Sequence, residues 1–221
     1  GTQVIRYGSR GECDVQLLET RVDPETLDTH FRVRIDDKTA DGMVPSPGIH
    51  MAHNAIGAMS VGWSLGLPLE SMVEQIAKYQ PVGMRLRMEP GPQGTQIIND
   101  AYNANPMSVA ANLHMLANIP QTRQRRRIAL LGDMLELGET ELQQHAETMA
   151  LAKSLDLDLI GFVGPRFEAV LGPNDLWAAT AEELGSQLRN QIAPGDIILI
   201  KGSRGMQMEH VLRGITPKET A

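Results

Sequence analysis

The sequence contains a single cysteine, Cys13, among its 221 residues. With one thiol, no disulfide can form within the chain, and a zinc site built on two or four cysteines is equally excluded. The cysteine has no nearby histidine and there is no G-x-S-x-G motif, which argues against hydrolysis through a covalent intermediate. His50 and His53 have H-x-x-H spacing without an H-E-x-x-H motif, so we interpret them as structural rather than as zinc ligands.

Long apolar runs are missing as well. No stretch approaches the ~20 residues that span a membrane, and the N-terminus has no apolar signal-peptide core. We therefore expect a cytoplasmic protein without membrane insertion. Aromatic residues are scarce at 4%, so Leu, Ile, Val, Ala and some of the 12 methionines must form the core.

Positive charge is in deficit, because the formal net charge is -7. This balance disfavours nucleic acid and anionic membranes as partners. One basic run departs from the trend, and it consists of Arg123, Arg125, Arg126 and Arg127. We interpret the run as a solvated connection before a strand rather than as a nucleic-acid site.

The first region of the chain reads as β-rich and helical. Short strand patterns separated by Gly, Asp and Pro occur at Gln3–Tyr7, Val15–Thr20 and His30–Ile35. Two helices are predicted after them, at Met51–Leu65 and, from an apolar stripe, at Leu69–Ile76.

Strand and helix patterns alternate from about residue 81 to the end. Four strands, mostly or wholly apolar, are predicted at Ile97–Asn99, Ile128–Leu131, Leu159–Val163 and Ile197–Ile200. Apolar strands joined by helices predict a parallel-rich sheet covered on both faces. We therefore expect an α/β, Rossmann-like domain over residues 81–221, with its last helix at Met206–Arg213.

Polar residues collect where these strands end. Asp100–Asn105 follows the first strand, Gly132-Asp133 the second and Lys201–Arg204 the fourth. Since ligands of open parallel sheets bind outside the carboxyl ends of the strands, this edge is the expected site. Asp133 fits a capping residue as well as a site residue, and Lys201 fits either an anion site or a solvated strand end.

Four motifs in order resemble those of the MurF type of Mur ligase, and the match covers nearly the whole chain. The matching segments are Gly48–Met51 with Asn54, Asp100–Pro106, Gly132–Gly138 with His145, and Lys201–Arg204 with Met208 and Glu209. The last three look like that family's D-x-Y-N-A-N-P, G-D-M-x-E-L-G and K-G-S-R patterns. Members that add diaminopimelate or lysine carry D-Y-A-H-T-P and D-N-P-R instead. The Tyr102–Pro106 pattern also argues against a folylpolyglutamate synthase.

The sequence departs from the family pattern in two places. Met84 precedes Arg85 where the family has Gly-Arg, and Gly83 lies one position earlier. There is also no Gly-Lys-Thr or Gly-Lys-Ser, hence no P-loop. By resemblance, residues 1–80 are the C-terminal part of the family's central ATP-binding domain, and residues 81–221 are its C-terminal Rossmann-like domain. The P-loop, the magnesium ligands, the carbamylated lysine and the UDP-sugar domain would precede residue 1, so we expect this chain alone to be inactive.

The resemblance implies an ATP-dependent amide ligase of peptidoglycan synthesis, acting in cell-wall biogenesis, cell shape and cell division. With ATP and Mg²⁺, such enzymes phosphorylate the terminal carboxylate of UDP-N-acetylmuramoyl-tripeptide. The amine of D-alanyl-D-alanine then attacks the acyl phosphate. The alternative is a standalone Rossmann-like module that binds a nucleotide or peptide without catalysis.

The resemblance also implies roles for seven residues. Asn54 would contact the adenine, Arg85 the γ-phosphate and Asp100 the nucleotide. Asn103 and Asn105 would lie at the boundary between nucleotide and dipeptide. Lys201 and Ser203 would lie near the dipeptide carboxylate. Among them, Arg85, Asp100 and Lys201 are the candidate catalytic residues. Structural alternatives stay open for five of them. Asn54 fits a helix-cap partner, and Arg85 fits a linker arginine paired with Glu89. Asp100 fits a turn former, Asn105 an N-cap and Lys201 a solvated strand end.

Overall fold

The computed structural model describes residues 4–121 and 125–216. Two predicted features therefore fall partly outside the described residues, at Gln3 of the first strand and Arg123 of the basic run. The chain divides into two units, Gly1–Gln80 and Pro81–Ala221. Within the described ranges, no helix has both the length and the apolar character needed to cross a membrane.

The first unit contains a four-stranded sheet whose strands lie in chain order. The strands are β1 (Tyr7–Gly8), β2 (Val15–Val22), β3 (Thr29–Ile35) and β4 (Lys38–Val44). The β1–β2 pair is parallel, and the other two pairs are antiparallel. In β3 the side chains alternate, so Phe31 and Val33 are buried while Arg32 and Arg34 are exposed.

Strand β4 was not predicted, because its sequence lacks an apolar alternation. It forms as the second arm of a hairpin with β3, joined through Asp36, whose φ of 54° is left-handed. Gly42 of β4 lies under the ring of Phe31, where a Cβ atom would collide with that ring. The close fit of a glycine under an aromatic ring, rather than apolar periodicity, therefore explains part of this pairing.

Two helices cover the sheet of the first unit, α1 (Ile49–Ser64) and α2 (Leu69–Ile76), which confirms both helix predictions. Helix α1 packs against β2 and β3. Its buried face includes Met51, Ile56 and Met59. Burial of an apolar stripe of this kind supplies most of a helix's stability in a folded protein.

The second unit is built on a six-stranded sheet with the order β5-β6-β10-β7-β8-β9. The strands are β5 (Arg87–Pro90), β6 (Gln96–Asp100), β7 (Arg127–Gly132), β8 (Leu159–Val163), β9 (Leu176–Ala178) and β10 (Ile197–Lys201). All pairs are parallel except β5–β6. The predicted fold class is confirmed. The two edge strands, β5 and β9, were not predicted.

Five helices connect or flank these strands. They are α3 (Pro106–Ala117), α4 (Glu141–Ser154), α5 (Pro165–Glu168), α6 (Ala181–Leu188) and α7 (Val211–Ile215). The predicted single helix at Met206–Arg213 is wrong. Two 3-10 turns, Arg204–Met206 and Met208–His210, precede α7, and Gln207 between them has a left-handed φ of 48° that interrupts any continuous helix.

The basic run is not a solvated connection where the structure describes it. The Arg126 guanidinium donates twice to the Asp196 carboxylate, at 3.0 and 2.6 Å. Arg127 is only 5% exposed, and its guanidinium donates to the Ala117 carbonyl at 2.6 Å and to Asp156 at 3.1 Å. A buried guanidinium is tolerated because these acceptors replace water. Both arginines stand at the amino ends of strands, opposite the predicted site.

Candidate functional site

The strand order of the second unit places two of the predicted site residues side by side. Strands β6 and β10 are parallel neighbours, and their register pairs Asp100 with Lys201. Both residues are the last of their strands. The carboxyl edge of the sheet therefore brings together two residues that lie far apart in the sequence.

Lys201 forms a buried ion pair with Asp100. Its Nζ donates to Asp100 Oδ2 at 2.5 Å and to the Asn103 carbonyl oxygen at 3.0 Å. Lys201 is 1% exposed, so the alternative of a solvated strand end is wrong. Burial lowers the pKa of the Lys201 ammonium below its ordinary value, while the neighbouring carboxylate of Asp100 acts in the opposite direction.

Asp100 has two further donors. Asn112 Nδ2 donates to Asp100 Oδ2 at 2.6 Å, and the Leu86 backbone N–H donates to Oδ1 at 3.1 Å. Sequence reasoning missed Asn112, which is 2% exposed on α3. A signal was present, because Asn112 is a polar residue within the apolar stripe of Val109 and Leu113.

Arg85 contacts an aromatic ring rather than an acid. Its guanidinium carbon lies 4.2 Å from the centroid of the Tyr102 ring, which is cation–π geometry. Glu89, the acid proposed as an alternative partner, instead accepts from Asn99 Nδ2 at 2.8 Å and pairs with Arg87 at 3.7 Å. The structure therefore does not support the alternative of a linker arginine paired with Glu89.

Asn103 and Asn105 both use their side-chain oxygens locally. Asn103 Oδ1 accepts from the Ala104 N–H at 2.9 Å. Asn105 caps α3, with Oδ1 accepting from the Ser108 N–H at 2.9 Å while Ser108 Oγ accepts from the Asn105 N–H at 3.2 Å. This reciprocal capping box confirms the predicted N-cap. Both asparagines are exposed.

Asp133, after β7, is a second carboxylate at the same edge, and unlike the half-buried Asp100 it is fully buried. It is 0% exposed, and its two oxygens accept from the backbone N–H groups of Arg166 and Phe167, each at 3.0 Å. Asp133 is thus a capping residue, as one prediction had it, but it caps α5, which follows the next strand. Gly164, with a φ of 108°, permits the close approach, since a Cβ there would collide with the Asp133 carboxylate.

The backbone after Asp133 is fixed by two side chains. His145 Nε2 accepts from the Met134 N–H at 2.9 Å, so its Nδ1 carries the proton and donates to the Glu141 carbonyl at 2.6 Å. Ser203 Oγ accepts from the Leu135 N–H at 2.9 Å. Ser203, which is 5% exposed, therefore ties the loop after β10 to the loop after β7.

Asn54 belongs to the first unit. It is exposed on α1 and borders a hollow of about 160 Å³, whose other lining residues are Val44, Met51, Ala55, Ala58, Ile76 and Tyr79. The N-cap of α1 is Gly48, and no side chain caps this helix, so the structure does not support the helix-cap alternative for Asn54.

His50 and His53 both lie on α1. His53 Nδ1 lies 3.4 Å from the Ile49 carbonyl oxygen, and Nε2 lies 3.3 Å from Ser9 Oγ. Across residues 4–121 and 125–216, no group of three or more His, Cys, Asp or Glu side chains could hold a metal ion.

Comparisons with known proteins agree on one family. Residues 84–204 match the family described as "Mur ligase, glutamate ligase domain". The chain is 28% identical over 222 residues to the UDP-N-acetylmuramoyl-tripeptide--D-alanyl-D-alanine ligase of Bacillus subtilis, which covers 96% of this chain and 47% of the relative.

Solved structures give the same picture. MurF from Acinetobacter baumannii superposes with a TM-score of 0.84 at 26% identity, covering 96% of this chain and 46% of that one. A MurF ligase from Thermotoga maritima in complex with ADP gives a TM-score of 0.80 over 95% of this chain and 47% of that one. At 22% identity, this second likeness concerns the fold alone. The chain spans about half the length of the relatives it matches.

Proposed function

Because the chain belongs to the Mur ligase family through residues 84–204, we propose that it serves an ATP-dependent ligase of the MurF type. The proposed reaction joins D-alanyl-D-alanine to UDP-N-acetylmuramoyl-tripeptide in peptidoglycan synthesis. The observation that carries the proposal is the gathering of Arg85, Asp100 and Lys201 near one sheet edge, in a chain similar over 96% of its length to a ligase of that name.

The proposed reaction has two steps. A carboxylate oxygen of the tripeptide attacks the γ-phosphorus of ATP, and ADP leaves. The amine of the dipeptide then attacks the acyl carbon, loses a proton, and inorganic phosphate leaves. Such a site must keep water from the acyl phosphate and must spread phosphoryl charge over fixed donors.

Arg85 is the residue we assign to the γ-phosphate. Its side chain is exposed, and its guanidinium carbon lies over the Tyr102 ring, 4.2 Å from the centroid. Stacking of this kind leaves the N–H edge available for oxygen acceptors. A planar fork of N–H donors suits the oxygens of a transferring phosphoryl group.

Asn103, Asn105 and Ser203 keep donors for a ligand. Both asparagines use Oδ1 within the protein, so their NH₂ groups can donate at the boundary of nucleotide and dipeptide. The Ser203 hydroxyl accepts from Leu135, which leaves its O–H to donate to the dipeptide carboxylate. We assign Asp100 to the nucleotide, where it would exchange one of its present donors for a hydroxyl group.

The first unit is proposed as part of the central ATP-binding domain. Asn54 presents an amide beside a mainly apolar hollow, a combination that suits the face and edge of an adenine ring. Mg²⁺ is proposed to arrive with ATP, because this ion is usually held by one or two carboxylates plus substrate phosphates and waters. With these nucleotide substrates, the reaction is assigned to the cytoplasm.

Replacement of Arg85 tests the proposal in a protein that joins these residues to the P-loop-bearing part of a MurF-type ligase. Arg85→Ala should lower kcat by about 10²–10³, the scale of losing one strong contact at a transition state. Arg85→Lys should restore only part of the rate, since an ammonium lacks the planar fork. Phosphate release with ATP, the tripeptide and the dipeptide is the measurement. An unchanged kcat would remove Arg85 from the site, whereas absence of phosphate release by the parent protein would favour a binding module without catalysis.

A further inference from the structure

The segment Met84–Leu86 is fastened to the end of β6 on both sides of Arg85. The Tyr102 N–H donates to the Met84 carbonyl at 3.2 Å. The Leu86 N–H donates to Asp100 Oδ1 at 3.1 Å. The Arg85 guanidinium then lies over the Tyr102 ring. Three contacts therefore fix one exposed cation, and each of them ends on residue 100 or residue 102.

Leu86 is held in a conformation that leucine rarely adopts. Its φ is 51°, in the left-handed region, although its side chain is buried at 7% exposure. A non-glycine residue in this region is destabilised because its Cβ atom lies too close to the following carbonyl oxygen, so it persists only where its surroundings determine it. The bond from Leu86 to Asp100 is one of the contacts that offset this cost.

Asp100 is itself oriented by two side chains. Asn112 and Lys201 both donate to Oδ2, at 2.6 and 2.5 Å, which leaves Oδ1 to face the Leu86 N–H. The terminal torsion of an aspartate is broad and has no sharp preference of its own. The two donors therefore decide which oxygen points at the segment that carries Arg85.

We propose that Asn112 and Lys201 are positioning residues for Arg85. By holding Oδ2 of Asp100 they aim Oδ1 at the Leu86 amide, and they thereby keep Arg85 stacked on Tyr102. Asn112 contacts Asp100 and acts on Arg85 only through it. That this orientation serves phosphoryl transfer rests on the proposed function, whereas the link from Asn112 to Leu86 stands on the geometry alone.

The link can be tested on the 221-residue chain by NMR. Asn112→Leu removes the amide donor with little change in volume, and it should speed hydrogen exchange of the Leu86 amide about 10-fold, the scale of one net hydrogen bond. The ring-current shift of the Arg85 side chain should be lost as well. His114→Leu, on the exposed face of the same helix, is the control and should change neither signal.

Exchange at Leu116, buried on α3, reports whether the variant stays folded. If Asn112→Leu does not fold, Asn112→Ser, whose hydroxyl is too short to reach Oδ2, should give the same two changes. A Leu86 amide and an Arg85 shift that match the parent protein in a folded variant would overturn the proposal.

The second readout is the kinetics of the protein that joins these residues to the P-loop-bearing part of a MurF-type ligase. Asn112→Leu should lower kcat about 10- to 100-fold through misplacement of Arg85, with little change in the KM for the dipeptide. The same change in an Arg85→Ala background should lower kcat no further; an additional, fully additive loss would overturn the proposal. If Arg85→Ala alone leaves kcat unchanged, the assignment of Arg85 to the γ-phosphate fails, and if the parent protein releases no phosphate, the proposed function fails. In either case the exchange of the Leu86 amide still decides the link.

Discussion

Two carboxylates stand at the same edge of the parallel sheet, Asp133 buried and Asp100 half-buried, and they are satisfied by different kinds of donor. Asp133 accepts from two backbone N–H groups at the start of α5. Asp100 accepts from the side chains of Asn112 and Lys201 as well as from one backbone N–H. Backbone donors are fixed by the helix that carries them, whereas side-chain donors can change rotamer. We therefore assign Asp133 to the framework and Asp100 to the part of the edge that a ligand can rearrange.

The largest effect is expected at Asp133. Asp133→Ala leaves two buried N–H groups without an acceptor, and it removes the carboxylate that lies 3.6 Å from the Arg166 guanidinium. The free energy of unfolding should fall by about 3–5 kcal/mol. Urea unfolding followed by Trp177 fluorescence, in a Trp63→Phe background, reports on the second unit because Trp177 lies in β9.

The control for this prediction is Glu139→Ala, an exposed acid in the same unit. It should change stability by no more than about 0.5 kcal/mol. A loss below about 1 kcal/mol for Asp133→Ala would mean that water replaces the carboxylate, and the distinction between the two aspartates would then collapse.

A smaller loss is expected at Lys201. Lys201→Met leaves the half-buried Asp100 carboxylate without its cation and should cost about 2–4 kcal/mol in the same unfolding experiment. The double variant Asp100→Asn with Lys201→Met removes both charges and should recover part of that loss. A double variant no more stable than Lys201→Met would show that the cost comes from packing of the long side chain, and not from an unpaired charge.

Ser203 links the loop after β10 to the loop after β7, and its replacement should lower the free energy of unfolding by less than either change above. Ser203→Ala removes the acceptor of the Leu135 N–H and should lower the free energy of unfolding by about 1 kcal/mol. Ser186→Ala is a matched control on α6, where the hydroxyl only donates to the Glu182 carbonyl in an exposed position. Equal losses at both serines would remove any special role for the link between the loops.

The smallest effect concerns alkaline pH. Because burial lowers the pKa of Lys201 below 10.5, the folded protein releases this proton before the unfolded chain does. Between the two pKa values the unfolded state binds more protons, so this group adds stability as pH rises and loses that contribution as pH falls through the folded pKa. The stability difference between the parent and Lys201→Met should therefore grow as the pH rises through the alkaline range towards 10.5.

The same titration sharpens the comparison of the two aspartates. The partners that Asp133 accepts from are backbone N–H groups with an arginine nearby, and neither titrates in this range. The stability difference between the parent and Asp133→Ala should therefore stay flat. If the stability difference between the parent and Asp133→Ala changed with pH as steeply as that for Lys201→Met, the pH dependence would belong to the whole sheet edge.

The sequence was most informative where strands are buried on both faces. Strands β6, β7, β8 and β10 have apolar centres, and their predicted positions match within one or two residues. Strands β4, β5 and β9 were missed because edge strands are short or partly exposed, so tertiary pairing rather than periodicity decides them. The resemblance to the MurF type of Mur ligase rested on motif order, and the family it named is confirmed.

The positions of Asp100 and Lys201 at the sheet edge were predicted, but their contact with each other was not. Strand ends located Asp100 and Lys201 at the same edge, yet their ion pair joins residues 101 positions apart in the sequence. No local sequence pattern reveals the strand register, and it is the register that brings the ends of β6 and β10 together. A solvated strand end therefore stayed open for Lys201 beside a site role, and the contact of Asn112 became visible only with the packing of α3 against the sheet.

The two edge strands of the second unit also bear on how the protein behaves at high concentration. An open sheet edge can recruit a strand from another chain, which is a common route to aggregation. Here one edge has only the four residues Arg87–Pro90, with charged side chains at Arg87 and Glu89 and a proline that has no N–H to offer. The other edge has three residues. The apolar interior strands are thereby shielded at both sides from pairing between molecules.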